Sequence, residues 1–221
     1  SAVTQRVQKF IYLSTAHVYK QPLVGKISEF SPTSNTHPYA TSHLAGEIPV
    51  LEASKNRVID SIVLRLSNSF GAPTHSQVDC WMLLVNDLCR QAIISGELVL
   101  QTSGNQVRDF VPLRDVCRVI EYLIQTDTNM LNSSVLNIGS RKPCSVLEIA
   151  HLVQDCCMDS LNFKPVIYRT ESSELEKNEI LNFQMNWLNS SNFIFAGEPR
   201  LEIEQLLNFC QLHFSKKDFI Q

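Results

Sequence analysis

The stretch KFIYLS, residues Lys9–Ser14, is short, apolar and rich in aromatic and branched side chains. Such a run predicts a buried β-strand. Two similar runs follow it, SIVLRLS at Ser61–Ser67 and SVLNIGS at Ser134–Ser140. Between the first two, HPYATSHLAGE opens a helix near Pro38, a residue type favoured in the first helical turn. Because strands and helices alternate, the sequence predicts an α/β fold with parallel strands.

The segments between and after these strands predict further elements. Ser145 and Glu148 form a capping-box pattern at the start of one helix, and Pro49 predicts a kink inside the first helix. ELVLQTS and KPVIYRT are predicted to be extended, and LNFQMNWL and RLEIEQLLNFCQLHF are predicted to be the two last helices. The other predicted helices are Val78–Ser95, Arg114–Gln125 and Ser145–Cys157.

Composition limits the classes of function. The chain has 221 residues, 44% of them hydrophobic and 19% charged, with a net charge of −3, so it can bury a core. No run of Lys and Arg exceeds two residues, which argues against a nucleic-acid face or an anionic-membrane patch. No apolar run approaches the roughly 20 residues of a membrane span. The first ten residues also lack the apolar core of a signal peptide.

The cysteines predict neither disulfides nor a metal site. Their number is odd, no CxxC pattern occurs, and most stand in apolar segments. We therefore expect buried free thiols in a reducing cytosol, and a cytoplasmic protein. No Cys/His spacing is typical of a zinc site, so no metal is expected. The seven cysteines are Cys80, Cys89, Cys117, Cys144, Cys156, Cys157 and Cys210.

The first predicted strand begins almost at residue 1, and three long strands are few for a parallel sheet. One flank of the sheet would then lack a neighbour, and an uncovered apolar edge invites aggregation. We therefore expect the chain to be the latter part of something larger, or to need a partner.

Three residues could carry acid/base chemistry. Tyr39 and His43 are four positions apart, which places both on one helical face. A positive charge close to a tyrosine can lower its pKa from about 10 toward neutrality by about 1–3 units. Thr15 ends the first strand, where open α/β sheets bind ligands. The alternatives are a chance pair on a helix and an ordinary strand-end hydroxyl, and His17 is expected to be a loop residue.

Polar residues also follow the second strand and precede a later helix. Asn68 could present its amide to a ligand, or it could stand in a turn that contains Gly71. Arg108 is suited to a bidentate phosphate contact. Arg114 and Asp115 could equally be surface charges that cap the following helix.

Taken in order, LSTAHVY, PYATSH, LRLSNSFGAP, GNQVRDFVPLRDV and LNIGS resemble the extended short-chain dehydrogenase/reductase family, and within it the nucleotide-sugar epimerases and dehydratases. The resemblance extends from about Phe10 to about Leu152. It implies the latter part of a Rossmann-type doubly wound parallel sheet plus a small α/β substrate-binding region. Residues 1–75 and 110–140 would form the Rossmann-like part, and residues 76–109 and 141–221 the substrate-binding part.

The resemblance also implies roles for single residues. Thr15 matches the residue that binds the substrate hydroxyl, and Tyr39 matches the catalytic tyrosine. His43 stands where the family has the lysine that holds the nicotinamide ribose, and Leu66 lies with Tyr39 and His43 on the cofactor side. The substrate-binding residues would be Thr15, Asn68 and Arg108, with Arg108 near the diphosphate. Asp115 matches a structural aspartate.

Three departures from the family pattern matter. No two of the seven glycines are spaced as a GxGxxG loop requires, so the family's phosphate-binding loop would precede Ser1. His43 replaces the lysine, and imidazole is largely neutral at pH 7. The acidic residues that sugar 4,6-dehydratases carry after the threonine are replaced by Ala16 and His17, which favours epimerase or reductase chemistry.

The resemblance therefore implies an NAD- or NADP-dependent epimerase or reductase that acts on a nucleotide-sugar. The alternative is a non-catalytic, truncated or regulatory relative of the same family. The expected partners are a nucleotide-sugar and a second copy of the chain, through the helix that carries Tyr39.

Overall fold

The computed structural model describes residues 2–5, 7–127, 133–171 and 180–215. These residues form six α-helices and eleven strands, several of them only two or three residues long. The strands are β1 (Lys9–Thr15), β2 (Gly25–Ile27), β3 (Asp60–Leu66), β4 (Asn68–Phe70), β5 (Glu97–Val99), β6 (Val107–Arg108), β7 (Phe110–Pro112), β8 (Val135–Ile138), β9 (Cys144–Ser145), β10 (Val166–Tyr168) and β11 (Leu181–Phe183). The helices are α1 (Pro38–Lys55), α2 (Leu84–Ser95), α3 (Leu113–Gln125), α4 (Val146–Leu161), α5 (Asn186–Ser190) and α6 (Pro199–Phe214).

The central sheet is parallel, in the order β1–β3–β8. Side chains on β3 alternate between its two faces. Ile62 and Leu64 join a buried cluster with residues of α3, β8 and α5, whereas Arg65 reaches Glu47 on α1. Helices thus cover both faces of the sheet, and the predicted α/β fold of Rossmann type is confirmed.

A second body of structure is mainly helical. Helices α2, α4 and α6 pack together, and β5 pairs with β10 beside them. Their shared core holds eighteen buried residues, among them Leu88, Val153 and Leu206. A smaller cluster lies where β2 pairs with β11 and includes Tyr19 and Phe183. The proposed division into residues 1–75 with 110–140 and 76–109 with 141–221 stays a prediction, and residues 172–179 and 216–221 lie outside the described residues.

Most predicted elements are present, and the capping box of Ser145 and Glu148 is confirmed at the start of α4. The helix predicted for LNFQMNWL is wrong, because its first residues form β11 and only Asn186–Ser190 are helical. The helix predicted from Val78 begins instead at Leu84. Helix α1 continues through Pro49.

Two predictions about burial need correction. Strand β1 is not buried along its length, since only Ser14 and Thr15 are buried. All seven cysteines are free, but Cys117 is exposed and Cys80 and Cys144 are half-buried, so burial holds for the remaining four. Within the described ranges, no helix is long and apolar enough to cross a membrane. The same residues contain no group of three or more His, Cys, Asp or Glu side chains that could hold a metal ion.

Candidate active site

The carboxyl ends of the three central strands lie side by side. Thr15 is in register with Leu66, and Leu66 is in register with Ile138. Thr15 is buried, and its Oγ1 accepts a hydrogen bond of 3.2 Å from the backbone N–H of His17. That bond caps a single 3-10 turn, Ala16–Val18, which carries the chain away from the sheet. The strand-end hydroxyl therefore fixes the position of His17.

Tyr39 lies between two imidazole rings. Its ring centroid is 4.6 Å from that of His43, at an interplanar angle of 64°. It is 6.1 Å from the ring centroid of His17, at 72°. The predicted pairing of Tyr39 with His43 on one helical face is therefore present, whereas no sequence pattern predicts His17 as the second neighbour.

A short polar loop ties His17 to the start of α1. The Nδ2 of Asn35 donates to the carbonyl oxygen of His17 at 2.6 Å, and the Oδ1 of Asn35 accepts from the N–H of His37 at 3.0 Å. His37 in turn is the N-cap of α1, where its Nδ1 accepts from the N–H of Tyr39 at 3.2 Å. These bonds connect His17 to Tyr39 without passing through the sheet.

His43, the nearer of the two imidazole rings beside Tyr39, has an unusual environment. Its Nδ1 is buried and has no hydrogen-bond partner among the described residues. The Oη of Tyr12, on β1, donates to the carbonyl oxygen of His43 at 3.4 Å. A Cβ at Gly46 would lie 2.2 Å from that Oη, so the close approach of Tyr12 requires glycine there. A buried nitrogen without a partner is rare, and it fits a position that meets a ligand hydroxyl.

Two cavities of about 500 and 420 Å³ open beside this cluster. Three residues line both of them: His17, Asn68 and Arg108. Thr15 and Tyr39 line neither cavity, so the structure connects the tyrosine to the cavities through His17. Such volumes suit a ligand of drug size or larger. The first cavity is also lined by Gln21, Pro22, Leu23, Val24, Leu181 and Phe183, and the second by Leu83, Leu84, Gln91, Gln101 and Thr102, among others.

The residues that line both cavities include one cationic side chain. Arg108 is exposed on β6, and within the described part of the chain no carboxylate lies at ion-pair distance from it. Asn68 donates through Nδ2 to the carbonyl oxygen of Asp109 at 2.8 Å. It stands in a short strand that pairs with β7, so the alternative of a turn is wrong. An unpaired guanidinium beside amide groups can bind a phosphate.

Asp109 was not predicted as a site residue, although it lines the first cavity next to Arg108. It is 1% exposed, and its Oδ1 accepts from Ser67 Oγ at 2.5 Å and from the N–H of Ser140 at 2.8 Å. Its Oδ2 accepts from Ser140 Oγ at 2.9 Å. Burial raises the pKa of Asp109, and the hydrogen bonds from Ser67 and Ser140 oppose that rise. The carboxyl joins the segments that follow β3, β6 and β8.

A buried ion pair was also not predicted. Arg65 on β3 donates from Nε and Nη2 to the two carboxylate oxygens of Glu47 on α1, at 2.9 and 2.6 Å. Ser14 Oγ donates to the same carboxylate at 2.6 Å. The guanidinium carbon of Arg65 lies 4.9 Å from the ring centroid of Tyr19, whose Oη donates to Asn137 at 2.6 Å. This network links α1 to all three central strands.

The sequence carries a signal for that pair. Arg65 interrupts the apolar run SIVLRLS, and a charge in a buried strand requires a partner.

Asp115 on α3 is a second buried charged residue that has partners. It is buried and accepts from the N–H groups of Ala196 and Gly197 at 2.8 and 3.2 Å, so its predicted structural role is supported and the surface-charge alternative is wrong. Arg114 remains partly exposed, 4.0 Å from Glu202.

The protein around His17 favours its neutral form. His17 is exposed at the cavity mouths, yet its pKa lies below 6.5, because neighbouring atoms displace water from the ring. The positive charge of Arg108 and the nearby His37 lower that pKa further. No hydrogen-bond partner for the ring of His17 is found in the described residues. Its nitrogens therefore remain open to a ligand.

Comparisons with a family model and with curated relatives support the same family. The model of the NAD dependent epimerase/dehydratase family matches residues 1–139. The human dTDP-D-glucose 4,6-dehydratase is 30% identical over 147 residues, which are 66% of this chain and 39% of that protein. The chain spans less than half the length of the curated relatives it matches.

Solved structures share the fold at low identity. The UDP-N-acetylglucosamine 4-epimerase from Methanobrevibacter ruminantium superposes with a TM-score of 0.73 at 16% identity, over 94% of this chain and 64% of that one. The UDP-glucuronic acid 4-epimerase from Bacillus cereus, solved with UDP-glucuronic acid and NAD, gives 0.68 at 21%, over 92% and 62%. With the family model covering more than half of its residues, the chain belongs to the NAD dependent epimerase/dehydratase family.

Proposed function

We propose that the protein uses NAD or NADP to transfer a hydride to or from a sugar carbon of a nucleotide-sugar, as an epimerase or a reductase. One observation carries the proposal: Tyr39 lies 4.6 Å from His43, whose buried Nδ1 has no hydrogen-bond partner among the described residues. The two cavities near this pair share Arg108 in their lining, and no carboxylate of the same residues lies at ion-pair distance from it. The family model and the nucleotide-sugar ligands of the solved relatives support it.

The residues beside Tyr39 fit a nicotinamide cofactor. His43 Nδ1 could accept a hydrogen bond from a ribose hydroxyl, and Leu66 would lie at the same strand edge. When bound, the cofactor supplies a hydride acceptor. Tyr39 would take the proton of the sugar hydroxyl, and Thr15 would orient that hydroxyl. Arg108 would bind the diphosphate, with Asn68 beside it.

The state of the carboxyl group that lines the first cavity favours an epimerase or a reductase over a dehydratase. Asp109 is the acidic residue among those lining the first cavity, and Ser67 and Ser140 occupy its carboxylate oxygens. A dehydratase also needs an acid for the departing hydroxyl. Ala16 and His17 supply no carboxylate at the turn after Thr15.

The test mixes the full-length protein with NAD⁺ and a panel of UDP- and dTDP-hexoses, and follows two products. An epimerase returns its hydride to the sugar and is detected by the new epimer in the ¹H NMR spectrum, whereas a reductase running in reverse is detected by net NADH formation. Tyr39→Phe should lower the rate by about 10²–10⁴-fold, the usual contribution of a general acid or base. Tyr168→Phe is the matched control, because Tyr168 and Tyr39 are both 50% exposed and Tyr168 lines neither cavity. A Tyr39→Phe protein with the rate of wild type would remove Tyr39 from the mechanism.

The variant His43→Lys sharpens the assignment of His43. A permanently charged amine should help Tyr39 lose its proton at least as well as imidazole does. We expect activity that is unchanged or higher, most visibly on the acid side of the pH profile. A collapse of activity would show that the site is built around imidazole.

The alternative is a relative that binds the nucleotide-sugar without transforming it. The observation that favours it is the histidine at position 43, where the resemblance implies lysine. This alternative predicts binding of a UDP- or dTDP-hexose by calorimetry together with formation of neither an epimer nor NADH. Binding should then be equal in wild type and Tyr39→Phe.

We also propose a homodimer through α1. Ile48 is 55% exposed on this helix, next to the buried Glu47 that faces the sheet. Sedimentation velocity should show a dimer for wild type and a monomer for Ile48→Lys. Ile124→Lys, at an exposed position of α3, is the control.

A further inference from the structure

The N-terminus of α1 is capped by an imidazole. The Nδ1 of His37 accepts a hydrogen bond of 3.2 Å from the backbone N–H of Tyr39. The usual cap residues are Ser, Thr, Asp and Asn, whose side-chain oxygens still accept hydrogen bonds in weakly acidic solution. An imidazole nitrogen accepts only while it carries no proton. This cap therefore depends on the protonation state of His37.

The capped N–H belongs to the tyrosine of the candidate site. Pro38 occupies the first turn and has no N–H, so Tyr39 carries the first N–H of α1. The first N–H groups of a helix have no carbonyl partner within the helix and need an acceptor from outside it. For Tyr39 that acceptor is the ring of His37. One bond thus holds the backbone of a residue whose ring lies 4.6 Å from that of His43.

The backbone groups of His37 hold the same turn. Its carbonyl oxygen accepts from the N–H of Thr41 at 3.0 Å, and its N–H donates to Oδ1 of Asn35 at 3.0 Å. The residue is exposed, so its ring can exchange protons with solvent. The two backbone bonds do not depend on pH, whereas the bond from Tyr39 to the ring does.

The titratable and charged groups around His37 come from three elements. His17, on the turn after β1, has a pKa that His37 lowers, and Arg108 on β6 lowers the same pKa. The first turns of α1 contribute Tyr39 and His43. Among the described residues, no carboxylate forms an ion pair with His37. A proton on its ring would also stand at the positive end of the α1 dipole, so protonation breaks the cap without compensation from a negative charge.

We propose that His37 is a positioning residue that makes the placement of Tyr39 respond to pH. With a neutral ring it caps α1 and holds Tyr39 between the rings of His17 and His43. When the ring gains a proton, its Nδ1 becomes a donor, the N–H of Tyr39 loses its acceptor, and the first turn of α1 loosens. The consequence for the reaction rate rests on the proposed function, whereas the consequence for the placement of Tyr39 does not.

The structure contains the same bond in another setting. The Nδ1 of His75 accepts from the N–H of Gln77 at 3.2 Å, again two residues ahead and again exposed to solvent. His75 lies in the segment before α2 and caps no helix. Both amides should therefore respond to pH, but only the bond made by His37 should move Tyr39.

The experiment records ¹H–¹⁵N and imidazole ¹H NMR spectra of the full-length protein between about pH 5 and about pH 8, where histidines titrate. In wild type, the Tyr39 amide signal should move over the same pH range as the ring signals of His37. His37→Asn keeps a cap that does not titrate there, so its Tyr39 signal should stay nearly constant. His37→Ala should show the released position of Tyr39 at every pH. His75→Asn is the matched control and should behave like wild type at Tyr39.

A second readout uses the reaction itself. Rates of wild type and His37→Asn are compared at about pH 7.5 and about pH 5.5, on either side of the usual titration of histidine. The loss between these two pH values should be about fivefold greater for wild type, the fold-change that matches a helix cap of typical strength. A loss shared by both proteins would belong to other groups of the site.

Three outcomes would overturn the inference. One is a Tyr39 amide that stays fixed while the ring of His37 titrates. Another is a Tyr39 amide that moves equally in wild type and His37→Asn. The third is a His37 ring that gains no proton above about pH 5. None of these spectra requires turnover, so an inactive protein would overturn the proposed function while the spectra still decide this inference. Thermal unfolding of each variant shows that it is folded.

Discussion

Strands β1 and β3 lie side by side and have similar apolar sequences, but they have different surroundings. Leu13 on β1 and Leu64 on β3 are register partners, yet Leu13 is 46% exposed and Leu64 is fully buried. Strand β3 pairs with strands on both sides, whereas β1 pairs only with β3 among the described strands. The comparison shows that an apolar run identifies a strand, and that its neighbours decide which side chains are buried.

The largest effect is expected where the buried strand carries a charge. Glu47→Ala would leave Arg65 buried and unpaired on β3, which should lower the free energy of unfolding by about 3–5 kcal/mol. Urea unfolding at neutral pH measures the change. Glu52→Ala, at an exposed position of the same helix, is the control. A loss below about 1 kcal/mol, the size of a surface ion pair, would mean that the network does not hold α1 to the sheet.

The register partners test the comparison directly. Leu64→Ala should destabilise the protein by about 2–5 kcal/mol, because it opens a cavity in a packed core. Leu13→Ala removes the same atoms from a half-covered position and should cost less than about 1 kcal/mol. Both variants are compared by urea unfolding in the same buffer. Equal losses would show that the outer part of β1 is covered in solution.

A smaller effect is expected at the end of β3, where Ser67 donates to the buried Asp109. Ser67→Ala removes one of three donors to a carboxylate and should destabilise by about 1.5–3 kcal/mol if that group is charged. Ser95→Ala, at an exposed position of α2, is the matched control. An unchanged stability would indicate that the remaining bonds from Ser140 satisfy Asp109.

The smallest effect concerns the buried end of β1 and the turn that follows it. The folded protein lowers the pKa of His17 below 6.5, first because burial removes water from the ring and then through the nearby Arg108 and His37. Between that lowered pKa and 6.5 the unfolded chain binds more protons, so stability falls as the pH falls through this window. Wild type should therefore lose more stability than His17→Asn between about pH 7 and about pH 5.5, measured by urea unfolding. Parallel curves would contradict the shift.

The sequence predicted what local patterns encode. The three central strands, the helix that begins at Pro38 and the capping box of Ser145 all follow from periodicity and turn chemistry. The helix predicted for LNFQMNWL failed because Leu181 and Phe183 pair with β2, more than 150 residues earlier, and β-structure depends on such partners. The helix predicted from Val78 begins later, at Leu84, and in the segment before it the Trp81 ring packs 4.8 Å from that of Phe214 on α6.

In the candidate site, too, local spacing predicts some residues, whereas others come together only through the fold. The spacing of Tyr39 and His43 on one helix placed their rings together, because four residues make about one turn. His17 could not be placed by spacing, since its contact with Tyr39 depends on the loop through Asn35 and His37. Asp109 stayed hidden for another reason. Its role depends on Ser140, which the fold brings from the end of a different strand.

The amide of Asn35 has a consequence for redesign of the protein. It supports His17 through one atom and the start of α1 through another, so these two segments share a frame that Pro22, Val24 and Phe183 do not belong to. The far wall of the cavity could therefore be rebuilt for a different ligand while His17 and Tyr39 keep their spacing. Exchanging Asn35 would instead shift tyrosine and histidine together, although Asn35 lines neither cavity.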